Sequence, residues 1–241
     1  MLIAIEGIDG AGKTHIARKL ARHLNDRGYN GRYLNKSDIK FGDDFADGRL
    51  RLLKETIWPE HGEPKQDLLG THFYLFLLAS WFSAMGQVLR RDPLSGERVT
   101  VMDGSHHRVV AKAHCRARIE LTQLFGYFAQ APEPDLVVLL EIDPQVSWHR
   151  RTVFKETEIG RWDGYGGDAR EAYCAYQSTI QQLLHRMARE RGWLVIPQGE
   201  VPRDTDIVDR IFHQIANTTG RGGPPVKDLL AEPPGSALET T

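Results

Sequence analysis

Near its N-terminus the chain passes from a short β-prone run, Leu2 to Glu6, through Gly7-Ile8-Asp9-Gly10-Ala11-Gly12-Lys13-Thr14, into a helical pattern that runs from Thr14 to Arg27. The middle segment fits GxxxxGK[ST], and it lies where such a loop has to lie, between a strand and a helix. Phosphates need many donors in a small volume. Glycines let backbone N–H groups turn inward, and the start of the helix adds a favourable dipole. Lys13 is placed to reach the terminal phosphates, and the Thr14 hydroxyl is a ligand for Mg²⁺. A nucleotide triphosphate site built from Gly7, Asp9, Gly10, Ala11, Gly12, Lys13 and Thr14 is therefore expected.

The rest of the chain alternates strand and helix. Further strand signals lie at Arg32–Asn35, Arg98–Met102, Asp135–Ile142 and Trp193–Ile196, each an aliphatic or β-branched burst bounded by turns or charges. Helical patterns fall at about Asp47–Ile57, Asp67–Arg91, His107–Gln130, Pro144–Val153, Asp168–Arg191 and Asp204–Asn217. Strands separated by helices predict βαβ units, so the expected class is α/β, three layers around a parallel sheet. Asp135 to Ile142 is apolar without alternation, as a strand covered on both faces should be. One domain is expected over residues 1–217, followed by a flexible Pro/Gly-rich tail over 218–241.

Composition narrows the partners. Lys plus Arg total 31 against 32 for Asp plus Glu, a net charge of -1. That balance argues against wholesale electrostatic binding to nucleic acid or an anionic membrane. Two cysteines are too few for a disulfide framework, and no closely spaced Cys or Cys/His pair suggests zinc. Free thiols and the lack of a basic, apolar leader predict a cytoplasmic protein. The stretch Leu68–Leu89 contains no Asp, Glu, Lys or Arg and is long enough to span a bilayer. Its interspersed Thr, His, Ser, Gln and Gly favour a helix buried between the layers of a soluble protein.

A triphosphate site also needs an acidic residue at the tip of a neighbouring strand. Asp103, after the apolar run Val99–Met102, supplies one for Mg²⁺. Phosphoryl transfer further needs cations over the transferred group and a cover that excludes water. Arg150, Arg151 and Arg161 flank the segment 152–167, whose glycines and lack of periodicity suit a mobile lid.

The stretch Ile5 to Thr14 resembles the phosphate loop of the thymidylate kinases, P-loop kinases of nucleoside monophosphates. The run from Pro134 to Arg151 is similar to that family's fourth strand and the helix leading to its lid. The resemblance implies a five-stranded parallel sheet, ATP with Mg²⁺, and a homodimer whose interface includes the long apolar helix. It also implies that Asp9 approaches the acceptor's sugar and that Gly10 goes with catalytic arginines in the lid. Three departures bear on the acceptor. Asp103-Gly104-Ser105 stands where the family has Asp-Arg. Trp81 stands near the place of an arginine on the long helix, and Lys36-Ser37-Asp38 replaces Arg-Glu-Pro.

A monophosphate is nearly dianionic and has to be held by cations against the charge of ATP. Lys36, Arg49, Arg51 and Arg108 are the substitutes available. A hydroxyl acceptor needs fewer cations and a carboxylate base, a role open to Asp38 at the tip of the second strand. His106 and His107 also lie beside the site in sequence. The expected activity is an ATP-dependent kinase of a nucleoside monophosphate or related small molecule. Two alternatives stay open: a kinase of an alcohol with Asp38 as base, and a nucleotide-binding protein without turnover.

Overall fold

The computed structural model describes residues 1–59, 68–92, 94, 96–199 and 203–219. Five strands, β1 (Leu2–Gly7), β2 (Asn30–Leu34), β3 (Arg98–Met102), β4 (Leu136–Glu141) and β5 (Leu194–Pro197), form one sheet in the order β2-β3-β1-β4-β5. Every pairing is parallel, with Ile3 opposite Val101 on one side and Leu136 on the other. β1 and β4 read as unbroken apolar runs because helices cover both faces; Ile3, Ala4, Ile5, Val138, Leu139 and Leu140 are fully buried. The chain leaves β1 toward β2 and returns to β4 on the opposite side. The carboxyl edge of β1 and its neighbours is thus the place where the connections diverge, and a crevice opens there.

α1 (Lys13–Asp26) follows the glycine loop and packs Ile16, Ala17, Leu20, Ala21 and Leu24 onto the sheet. This is the spacing of one helical face. Full burial of Leu20 and Leu24 stabilises the layer by about 1.5–3 kcal/mol each. α2 (Asp44–Ile57) begins three residues earlier than the periodicity indicates, because the Asp43 carboxylate caps it, accepting from Ala46 N–H at 2.9 Å. α3 (Thr71–Arg91) is the long apolar helix; the expected start at Asp67 lies outside the described residues. It is long and apolar enough to cross a membrane by length and composition. Only one face is buried, through Leu75, Trp81, Phe82, Met85 and Gly86, while Phe73 and Phe76 are exposed. The expectation of a helix enclosed on all sides is therefore corrected: it lies at the edge of its layer.

The single helix expected over His107–Gln130 is two, α4 (His107–Ala117) and α5 (Leu121–Tyr127). Arg118 takes a left-handed φ of 52°, and the His114 ring nitrogen Nδ1 is held at 2.8 Å from the Ile119 carbonyl, which turns the chain. α6 (Pro144–His149) stops short of Val153. The following segment, read as irregular, contains α7 (Glu156–Ile159) and a 3-10 turn at Arg161–Asp163. Gly160 joins them with φ 88°, and a Cβ there would lie 2.6 Å from Tyr176 Cγ. α8 (Ala169–Arg191) backs this segment, and α9 (Asp204–Thr219) closes the domain against α1. The tail beyond residue 219 lies outside the described residues.

Candidate active site

The glycine loop spans the end of β1 and the first turn of α1. Gly10 and Gly12 adopt φ of 81° and 82°. A Cβ on Gly10 would sit 2.4 Å from Ser147 Oγ, so a residue without a side chain lets α6 press against the loop. Ser147 Oγ and Tyr173 OH both donate to the Asp9 carbonyl, at 2.5 and 2.6 Å, and fix the loop's curvature from outside. Lys13 Nζ donates to the carbonyls of Ile8 at 2.6 Å and Gly7 at 3.0 Å. Burial, then repulsion from Arg108, lower its pKa to about 7. An ammonium so placed gains from an anion in the cradle.

Asp103 ends β3 beside the loop. Its Oδ2 accepts from Thr14 Oγ1 at 2.6 Å and from Tyr33 OH at 2.8 Å. Burial alone would raise this carboxyl; the bonds from Thr14 and Tyr33, with Lys36 nearby, hold it below its ordinary value. A hydroxyl and an ionised carboxylate in contact beside the glycine loop are a hard oxygen donor pair that fits Mg²⁺.

Next to the loop lies a cavity of about 320 Å³, floored by Asp9, Lys36 and Arg108 and roofed by Lys155, Thr157, Glu158 and Trp162. Trp58, Tyr74 and Phe82 form apolar walls, and α4 contributes Lys112 and Arg116. Arg108 forms an ion pair with Asp9 Oδ1, and Lys112 Nζ lies 3.1 Å from Oδ2. Burial opposes ionisation of Asp9, but Arg108, Lys112 and Lys13 together hold its carboxyl well below the usual carboxylate range. Lys36, through burial and repulsion from Arg108, falls to about 8. The segment 152–167 is docked over this cavity. Lys112 Nζ donates to the Thr157 carbonyl, Gln177 Nε2 to that of Glu158, and Arg116 pairs with Asp163 at 3.1 Å.

The expected residues separate into groups. Lys13, Thr14, Asp9, Asp103, Lys36 and Arg108 converge. Arg151 lies against Gly10 and pairs with Glu158 at 3.0 Å. Arg150 reaches the other flank of the loop, donating to Gln198, which donates in turn to the Ala11 carbonyl. Arg161 closes the segment 152–167 on itself through the carbonyls of Tyr165 and Gly167. Trp81, 1% exposed, stands behind the cavity wall, where its indole N–H donates to the Lys36 carbonyl at 2.7 Å and positions that lysine. Arg51 and Arg49 stay on the exposed face of α2, the latter over the Phe45 ring. The Asp38 side chain is 58% exposed, faces Lys54 at 3.8 Å and does not line the cavity. His106 and His107 open α4 and are buried, and burial with the adjacent His107 ring pushes His106 down to about 3. Sequence reasoning missed Lys112 and Arg116, although Arg108, Lys112 and Arg116 recur every four residues along one helical face. It also missed Tyr74 and Trp162, which carry no motif.

A five-stranded parallel sheet in this order, with a glycine loop after its first strand and an acidic residue at the tip of the adjacent one, defines a P-loop kinase fold. No family model matches the chain. Over 156 residues it is 33% identical to a protein of Archaeoglobus fulgidus described as a probable thymidylate kinase, a match that covers 62% of this chain and 68% of that protein. The chain belongs to the thymidylate kinase family.

Proposed function

We propose that the protein transfers the γ-phosphoryl group of ATP to a nucleoside monophosphate. One observation carries the acceptor class: the cavity beside the phosphate loop joins Lys36, Arg108, Lys112 and Arg116 to aromatic walls from Trp58, Tyr74 and Trp162. Its cations suit a phosphate and its flat apolar walls suit a base, within a volume near the lower end of the roughly 300–1,000 Å³ of small-molecule sites. Two phosphoryl charges held 4 Å apart repel by about 4 kcal/mol at an effective dielectric constant of 20, so an acceptor phosphate cannot be held beside ATP without such cations. Lys36 and Arg108 take over from the arginines that the family has after Asp103 and on the long helix.

Lys13 and the loop N–H groups bind and orient the ATP phosphates, and Arg151 is the lid arginine best placed to follow the transferred group. Mg²⁺, held by Thr14 and Asp103, neutralises phosphate charge when bound. The docked segment 156–163 excludes water. An alcohol acceptor with Asp38 as base finds less support, since that carboxylate lies in solvent, and the cavity's own Asp9 and Glu158 are paired with Arg108 and Arg151. We further propose a homodimer through the exposed side of α3, where Phe73 and Phe76 continue the exposed Leu68 and Leu69; light scattering after size exclusion reads its mass.

A coupled ADP-release screen over monophosphates, nucleosides and hydroxylated metabolites tests the reading. Turnover with monophosphates alone is expected. Turnover with alcohols alone refutes the acceptor class, and ATP binding without turnover on any acceptor refutes catalysis.

A further inference from the structure

Behind Ser105, on the side away from the phosphate loop, lies a second cluster of chemically capable side chains. His106 and His107 open α4, are 2% and 0% exposed, and stack with ring centroids 4.4 Å apart. Each presents Nε2 to the same carboxylate, at 3.6 Å from Glu133 Oε2 and Oε1 respectively. The ligand atoms of all three residues fall within 4.8 Å of one another.

Proton placement decides what these atoms can do. Ser105 Oγ donates its single hydrogen to Glu6 Oε1 at 2.6 Å, so in its 2.6 Å contact with His107 Nδ1 it has to accept. A neutral His107 therefore carries its hydrogen on Nδ1. Its Nε2 lone pair is left fully buried and without a hydrogen-bond partner, aimed at a carboxylate oxygen. Acceptor faces acceptor, which is repulsive where water is excluded. The gap is too long for an N–H···O bond. It is close to the separation of about 3.3 Å that two ligands keep around a tetrahedral ion with bonds of about 2.0–2.1 Å. The chain from Nδ1 through Ser105 to the Glu6 carboxylate is the outer-shell arrangement that orients a metal-binding imidazole and raises its basicity.

We propose that His106 Nε2, His107 Nε2 and the Glu133 carboxylate form a binding site for a divalent transition metal of the zinc type. Two imidazoles and a carboxylate are a suitable donor set for it, and the exposed Glu133 leaves a fourth position open to water. The Arg191 guanidinium, 3.3 Å from Glu133 Oε1, occupies the outer rim and competes for that oxygen. Occupancy ties the start of α4, which carries Arg108 and Lys112, to the segment that leads into β4. It does not depend on the identity of the phosphoryl acceptor.

The test is calorimetric titration of the chelator-treated full chain with Zn²⁺, alongside Glu133→Gln and His106→Gln. The Glu133 side chain is 61% exposed, so its variant folds as the parent does. One equivalent is expected to bind, with affinity reduced at least about tenfold in each variant. Absence of stoichiometric binding overturns the site. So does binding that is unchanged in Glu133→Gln.

Discussion

Arg108→Met separates acceptor binding from the rest of the machinery. The Arg108 side chain is 17% exposed, so solvent screens it little, and its guanidinium does two opposed things. It neutralises Asp9, and it lowers the pKa values of both Lys13 and Lys36 by repulsion. Removing one partner of a buried ion pair costs about 3–5 kcal/mol when nothing replaces it. Here Lys112 remains 3.1 Å from Asp9 and two lysines are relieved, so the net loss of stability should stay below about 2 kcal/mol. The acceptor phosphate, by contrast, loses charge-assisted hydrogen bonds worth about 1.5–3 kcal/mol, which is about 10- to 150-fold in KM for the monophosphate. KM for ATP should move less than about threefold, because Lys13 and the loop donors are intact. Steady-state kinetics with each substrate varied in turn, beside a urea melt, measures all three quantities. An unchanged acceptor KM, or equal losses for ATP and acceptor, refutes the assignment of Arg108 to the acceptor phosphate.

Lys13 is expected to make ATP binding pH-dependent. With a free pKa of about 7 that a bound polyphosphate raises, binding takes up a proton above pH 7 and weakens toward pH 9. Calorimetry in two buffers of different ionisation enthalpy reads the uptake, and Lys13→Ala should abolish both the uptake and turnover while the circular dichroism stays that of the parent. Asp38→Asn should change kcat less than about twofold, since its carboxylate faces solvent; a loss near 10²-fold would restore it as a general base. Gly160→Ala places a Cβ 2.6 Å from Tyr176 Cγ at φ 88°, beside a fully buried ring. A cost of about 2–4 kcal/mol follows, seen as a fall in Tm of at least about 4 °C, and an unaltered Tm refutes the docking of this segment on α8.

Local order was legible wherever one physical constraint acts on neighbours in the chain. The glycine loop could be read because strand, donors and helix start follow one another within Leu2–Thr14, and β4 because burial on both faces leaves an unbroken apolar run. The break between α4 and α5 was not, because it turns on Arg118 accepting a left-handed backbone and on a histidine bonding a carbonyl five residues on. The segment 152–167 looked irregular because its helix is four residues long, and Lys112 and Gln177, which bond its carbonyls, and Arg116, which holds the following turn, are distant in sequence.

The cavity beside the loop shows the same division. By itself the sequence determined the class of sheet and the glycine loop with Lys13 and Thr14, since each is a matter of residue type at fixed spacing, while the absence of an arginine after Asp103 shows only against the family it resembles. Only the tertiary structure decided which cations the cavity gathers. Lys36 follows the end of β2, Arg108 and Lys112 come from successive turns of α4, and Trp162 from the segment 152–167, while Asp38, two residues from Lys36, turns to solvent. Charge acts through space and falls with distance, so whether a cation serves the site depends on where the packing of α3, α4 and α8 puts it, and no spacing along the chain records that distance.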